Sequence, residues 1–89
     1  MTGIVGETLE NRIKRLKMRS MRRGIKEMDL ILTAYADANL AGMDDATLSQ
    51  YDALLNENDQ DLYQWVTGQV PAPTPFGDLI ADISQALQK

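Results

Sequence analysis

Apolar residues in this chain recur at intervals of three and four in five separate runs, and nowhere do they alternate over the length of a strand. That spacing lines up side chains on one face of a helix, so the fold class read from it is all-α. Leu9, Ile13 and Leu16, continuing toward Met21, make a narrow stripe on a first helix over about 7–22, whose remaining surface is basic. Ile25, Met28, Ile31, Leu32, Tyr35 and Leu40 predict a second helix over about 25–40 with a wider buried face. Gly42 followed by Asp44 and Asp45 supplies a stop and a new N-cap. Leu48, Tyr51, Leu54 and Leu55 then mark a third helix over about 45–56. Asn58 or Asp59 caps a short fourth one carrying Leu62, Trp65 and Val66, with Gly68 as its stop. Pro71, Pro73 and Pro75 keep the next stretch extended. Thr74 and Pro75 read as N-cap and first position of a last helix, in which Phe76, Leu79, Ile80, Ile83 and Leu87 fall at i, i+3, i+4, i+7 and i+11.

A chain of 89 residues, 44% of them apolar, has material for one core. At this size roughly 60–65% of the unfolded surface is buried, which leaves no room for a second. The expected architecture is a single domain over 1–89, a small bundle of five short helices. No run approaches the ~20 apolar residues that span a bilayer, and 1–11 lack the basic and apolar regions of a secretory signal. The Arg-rich stretch 12–26 has the composition of an organelle transit peptide, but it runs directly into the main motif and is read as part of the fold.

The chemistry is bounded by two absences. With neither Cys nor His, the chain has no disulfide, thiolate nucleophile, imidazole base or His-anchored metal site, and no flavin or haem can be carried on those side chains. Its carboxylates do not follow a Ca²⁺-loop spacing, and no glycine-rich phosphate loop follows a strand. Neither an enzyme nor a metal site is expected.

Charge is divided along the chain. Residues 1–26 hold eight Lys and Arg against two acids, and 27–89 hold one Lys against eleven acids, a balance of +6 followed by −10. The sign changes within Arg22-Arg23-Gly24-Ile25-Lys26-Glu27-Met28-Asp29. Two readings of this segment stand side by side. In one, Gly24 is the N-cap of the second helix and Glu27 sits at the third position, near free backbone N–H groups. In the other, bare backbone at Gly24, flanked by Arg22 and Arg23 and one turn from Glu27, is a docking point where guanidinium groups grip carboxylates or phosphate. Capping alone leaves the crowding of positive charge unexplained, because like charges at adjacent and i+4 positions repel. Elsewhere the structural reading prevails. Trp65 is assigned to core packing, Met18, Met21 and Met28 to filling an irregular core, and the acids between Asp37 and Asp61 to helix caps and a solvated face.

Arg23-Gly24-Ile25-Lys26-Glu27, extended by Asp29, resembles the Arg-Gly-x-x-Glu signature of the succinate dehydrogenase flavinylation factors, a family of small assembly factors of bacteria and mitochondria. Arg22 precedes the signature and Met28-Asp29-Leu30-Ile31-Leu32 follows it. Asn58-Asp59-Gln60-Asp61-Leu62-Tyr63-Gln64-Trp65 is similar to the family's second, acidic and aromatic segment. The resemblance spans roughly 8–68 and carries no functional residues beyond it, so the last helix is expected only to complete the core. It implies a helical assembly factor, not an enzyme, that binds the flavoprotein subunit of succinate dehydrogenase, and often that of fumarate reductase. Such a factor promotes covalent attachment of FAD to a histidine of that client. FAD then belongs to the client and is not held stably by this chain. Arg23, Gly24 and Glu27 fall on the client-binding surface by matching position, and Arg22 and Asp29 join them by adjacency. A bacterial cytoplasmic location is expected, with no membrane or nucleic-acid partner. The rival readings are nucleic-acid binding through the basic first helix, which the acidic remainder of the chain opposes, and an antitoxin-like regulator.

Overall fold

Thr8 opens the first helix of the described residues, α1 (Leu9–Arg19), by accepting a hydrogen bond from the backbone N–H of Asn11. A computed structural model of the chain describes residues 7–87, so 1–6 and 88–89 of the expected domain lie outside the described residues. Four more helices follow: α2 (Lys26–Asn39), α3 (Asp45–Leu54), α4 (Asp59–Val66) and α5 (Gly77–Leu87). Single 3₁₀ turns at Leu40–Gly42 and Thr74–Phe76 lead out of α2 and into α5. No strand occurs among the described residues, and the all-α expectation holds.

Local chemistry sets the boundaries. Asp44 caps α3 by accepting from the N–H of Thr47 at 2.8 Å, and Asn58, not Asp59, caps α4 by accepting from Gln60 at 2.8 Å. Gly68, at φ +82°, ends α4 in a Schellman turn: the N–H of Gln69 reaches back to the carbonyl of Gln64, and that of Gly68 to Trp65. At the last helix the expected start is displaced. Pro73 precedes the 3₁₀ turn, Thr74 and Pro75 lie within it, and α5 itself begins at Gly77.

The core draws on every helix. Leu16 comes from α1, Met28, Leu32, Tyr35 and Ala36 from α2, Leu48, Tyr51 and Leu54 from α3, Leu62 and Val66 from α4, and Leu79, Ile80 and Ile83 from α5. Trp65 is half-buried against this core and stacks on Phe76 with centroids 6.3 Å apart, fastening the proline segment to α4. Tyr35 crosses to α5 by donating its hydroxyl to Asp82 at 2.6 Å, and burial, reinforced by that bond, pushes its phenol pKa up.

Three apolar expectations fail at the margins. On α1 the inward stripe is Ile13, Leu16 and then Ser20, whereas Leu9 is 59% exposed and Met21 43%. Met28 does fill the core, but Met18 stands 72% exposed on the outer side of α1. Leu87 lies outside the core because α5 has already passed its last buried contact at Ile83.

Most of the positive charge turns inward. Arg12 pairs with Asp45 and donates to the hydroxyl of Ser49 at 2.6 Å. Arg15 bridges Glu7 at 2.7 Å and Asp52 at 3.2 Å, and Arg19 pairs with Asp52 and donates to Asn56 at 2.7 Å. The partners advance together along both helices, so α1 and α3 run parallel and are laced by a ladder of arginines. Lys17 reaches Asp37 at 3.8 Å, while hydrogen bonds join Thr33 to the carbonyl of Ser20 and Asp29 to the N–H of Arg22. These partners run in opposite senses, so α1 lies antiparallel to α2. The acids expected to form a solvated face are in good part the counter-charges of α1, and this explains the positive cluster that capping did not.

Candidate functional site

Residues 20–25 form the connection between α1 and α2, and each end of it is pinned by a buried or half-buried group. Ser20 closes α1. Its N–H donates to the carbonyls of Leu16 and Lys17, and its buried hydroxyl donates to Leu16 at 2.8 Å and lies 2.6 Å from that of Tyr51. Arg22 then takes the left-handed backbone region at φ +55°, and its N–H donates to Asp29 Oδ2 at 2.7 Å. Asp29 is steadied in turn by the hydroxyl of Thr33 at 3.3 Å.

Arg23 is the centre of the connection. Its Nε donates to Asp59 Oδ1 at 2.7 Å, its Nη1 to the carbonyl of Arg19 at 3.0 Å, and its Nη2 to the carbonyls of Leu55 at 3.1 Å and Glu57 at 3.4 Å. A single guanidinium fork therefore satisfies the C-terminal ends of α1 and α3 and pairs with a carboxylate at the start of α4. The side chains of Arg23 and Asp59 are only 12% and 16% exposed.

Gly24 shares the same carboxylate, its N–H donating to Asp59 Oδ2 at 2.6 Å. A Cβ at Gly24 would stand 3.1 Å from that oxygen, closer than ordinary van der Waals contact. Asp59 has little freedom to withdraw, because Arg23 holds its other oxygen. The glycine is therefore required by an approach from inside the molecule, while its outer side stays exposed. It is not the N-cap of α2. That position falls to Ile25, which makes no side-chain cap, so Glu27 occupies the second helical position and not the third. The capping account of Gly24 is thus corrected: a carboxylate 35 residues away claims its N–H before α2 begins.

The five residues singled out from the sequence fall together but divide by role. Arg23 and Asp29 are directed inward and hold the connection in shape. Arg22 and Glu27 are exposed, and their side chains meet no hydrogen-bonding partner among the described residues, while Gly24 presents exposed backbone between them. Leu30 stands 63% exposed one turn beyond Glu27 on α2, an apolar side chain out of step with the buried positions Met28 and Leu32. Sequence reasoning passed over Leu30, for which that broken register is the signal. It also read Asp59 only as an alternative cap of the fourth helix, although Arg23 needs an acid within reach. The rival of phosphate-backbone binding loses its footing here, because Arg12, Arg15, Arg19 and Arg23 are taken up by carboxylates and carbonyls of the chain itself.

The two segments that carry the resemblance, 22–29 and 58–65, are the two that meet at the Arg23–Asp59 pair. The succinate dehydrogenase assembly factor 2, mitochondrial, of Meyerozyma guilliermondii is 40% identical over 87 residues, covering 94% of this chain and 63% of the relative. The protein of the same description from Danio rerio is 36% identical over 86 residues (94% of this chain, 54% of the relative), and that from Penicillium rubens is 42% identical over 82 (88% and 26%). The chain thus spans between about a quarter and less than two thirds of the length of these relatives. A family model described as flavinator of succinate dehydrogenase matches residues 14–87, past the expected limit at 68 and through α5. With all five helices of the described residues inside or overlapping that match, the chain belongs to the family of flavinators of succinate dehydrogenase.

Proposed function

We propose that this chain is an assembly factor that binds the immature flavoprotein subunit of succinate dehydrogenase, and its relative in fumarate reductase, and promotes covalent attachment of FAD there. The observation that carries the reading is the family match over 14–87, which includes the whole connection 20–25 and both segments that build it. In this reading Arg22 supplies charge-assisted hydrogen bonds to the client, the exposed side of Gly24 admits close backbone approach, and Glu27 receives donors of the client. Arg23 and Asp29 act behind them by holding the connection.

The chain contributes position and not bond-making chemistry. Docking beside the client's flavin site restrains the acceptor histidine and its surroundings, and restraint alone is worth up to roughly 7–11 kcal/mol in well-oriented intramolecular reactions. FAD is the client's group, and no residue of this chain is assigned to it. This reading makes the chain a chaperone-like factor and not an enzyme. It acts where the flavoprotein matures, which we take to be the bacterial cytoplasm. The relatives above carry a mitochondrial description, and no helix among the described residues is long and apolar enough to cross a membrane. Stretch 12–26 supplies Leu16 and Ser20 to the interior and the arginines to the ladder, which supports its reading as folded structure and not as a cleavable presequence.

The test is a host lacking the gene, complemented with wild type or with Glu27→Ala. Covalent flavin on the client is read as in-gel fluorescence after denaturation. Wild type restores the signal, and Glu27→Ala is expected to restore little of it while keeping the wild-type circular dichroism, since the exposed Glu27 side chain makes no hydrogen bond or ion pair among the described residues. Undiminished client fluorescence in the deleted host overturns the proposal.

A further inference from the structure

Asp59 is the first residue of α4, where an acid is ordinarily accounted for by the helix dipole or by capping. Here the side chain has a further task. Asn58 already caps α4, and the carboxylate of Asp59 receives one bond on each oxygen, from Arg23 Nε at 2.7 Å and from Gly24 N at 2.6 Å. Only a group with two acceptor oxygens satisfies both donors, for an amide in its place presents one acceptor and one donor. The bond to Gly24 fixes a backbone atom midway between Arg22 and Glu27, the two exposed charged side chains of the connection.

We infer that Asp59 is a positioning residue for client binding, its carboxylate holding the 22–27 segment in the conformation that presents Arg22, Gly24 and Glu27 to the flavoprotein. This rests on the function proposed above and extends it to a residue that does not itself meet the client. Gly24 and Asp59 then act as a unit. The absent Cβ admits the carboxylate, and the carboxylate sets the backbone.

The experiment compares Asp59→Asn with Asp52→Asn in the full chain. Asp52 receives Arg15 and Arg19 in the ladder between α1 and α3, so its loss loosens the same helices without touching 22–27. Affinity for the purified flavoprotein subunit is measured by calorimetry at a temperature where circular dichroism shows both variants folded. The Gly24 amide proton is followed by NMR in the free protein.

Asp59→Asn is expected to weaken client binding at least about tenfold, the consequence of losing a single charge-assisted hydrogen bond. The Gly24 amide should shift upfield and exchange faster with solvent. Asp52→Asn should leave the affinity within about twofold and the Gly24 amide in place. Wild-type affinity in Asp59→Asn, or equal losses in the two variants, overturns the positioning role while the proposed function stands. Absence of binding by the wild type overturns both. Should Asp59→Asn be unfolded at every accessible temperature, Gly24→Ala tests the same contact from the other side, and client binding at wild-type strength by that variant overturns the inference.

Discussion

Helix α1 and helix α5 flank the middle of the bundle at opposite ends of the chain, and they are attached to it by different forces. Helix α5 lays Leu79, Ile80 and Ile83 into the core, whereas α1 contributes one fully buried apolar side chain, Leu16, with Ile13 half-buried beside it. A buried aliphatic side chain stabilises by about 1.5–3 kcal/mol, so three of them hold α5 with little help from charge. Helix α1 relies on arginines. Exposed ion pairs contribute only about 0.2–1 kcal/mol each, and it takes the ladder to Asp45 and Asp52, together with the shielded Arg23–Asp59 pair, to do for α1 what burial does for α5. A block of charge that looks in the sequence like a surface for a partner is mainly the means by which one helix is attached.

The comparison is broken most severely from the α5 side. Ile83→Ala removes a side chain that is 1% exposed and is expected to cost about 2–5 kcal/mol, read as a large fall in the midpoint of thermal or urea unfolding. If the loss stays below about 1 kcal/mol, apolar burial is not what fastens α5. From the α1 side the largest effect belongs to Arg23→Ala, which strands the Asp59 carboxylate and the carbonyls of Arg19, Leu55 and Glu57 in a shielded place. A cost of about 3 kcal/mol is expected, approaching that of a core deletion. A cost of only a few tenths would reduce Arg23 to an ordinary surface arginine.

The smallest effect is the most diagnostic. The hydrogen bond from Arg15 holds the Glu7 carboxyl below its ordinary value of 4.5, so the stabilisation it brings is complete above that value. It is lost as pH falls through the lowered folded value. The unfolding midpoint of wild type should accordingly exceed that of Glu7→Gln by a small margin at pH 7, and the margin should close in acid and in 1 M salt. A variant in α5 such as Ile83→Ala should show no comparable closing. A margin that survives both treatments would place Glu7 outside the electrostatic attachment of α1.

The helices were legible because each carries its own signal. Asp44, Asn58 and Gly68 act on residues at most four positions away, and the apolar spacing of α2 to α4 reports directly on burial. Legibility failed where a residue answers to something distant in the chain. Gly24 reads locally as a cap, but its partner is Asp59, and Arg23 reads locally as a docking cation, but its partners lie 32 to 36 residues on and at Arg19. The stripe on α1 was misread at both ends for a related reason. Where arginines carry the attachment, an apolar residue at the margin of the helix, such as Leu9 or Met21, is left exposed. The family resemblance brought 22–29 and 58–65 together as similar segments, and the structure adds that one touches the other.

Arg22 stands in the left-handed region that glycine and asparagine enter freely and that costs other residues roughly 1–2 kcal/mol. On the function proposed above, in which Arg22 meets the client, two selections applied to this position would pull against each other. A search for thermal robustness, blind to the client, is drawn to replace Arg22 with glycine and would count the change as an improvement. A search for flavinylation has reason to keep the cation and tolerate the twisted backbone beneath it. The tip of the connection is thus a place where a protein engineered for endurance is apt to lose its occupation.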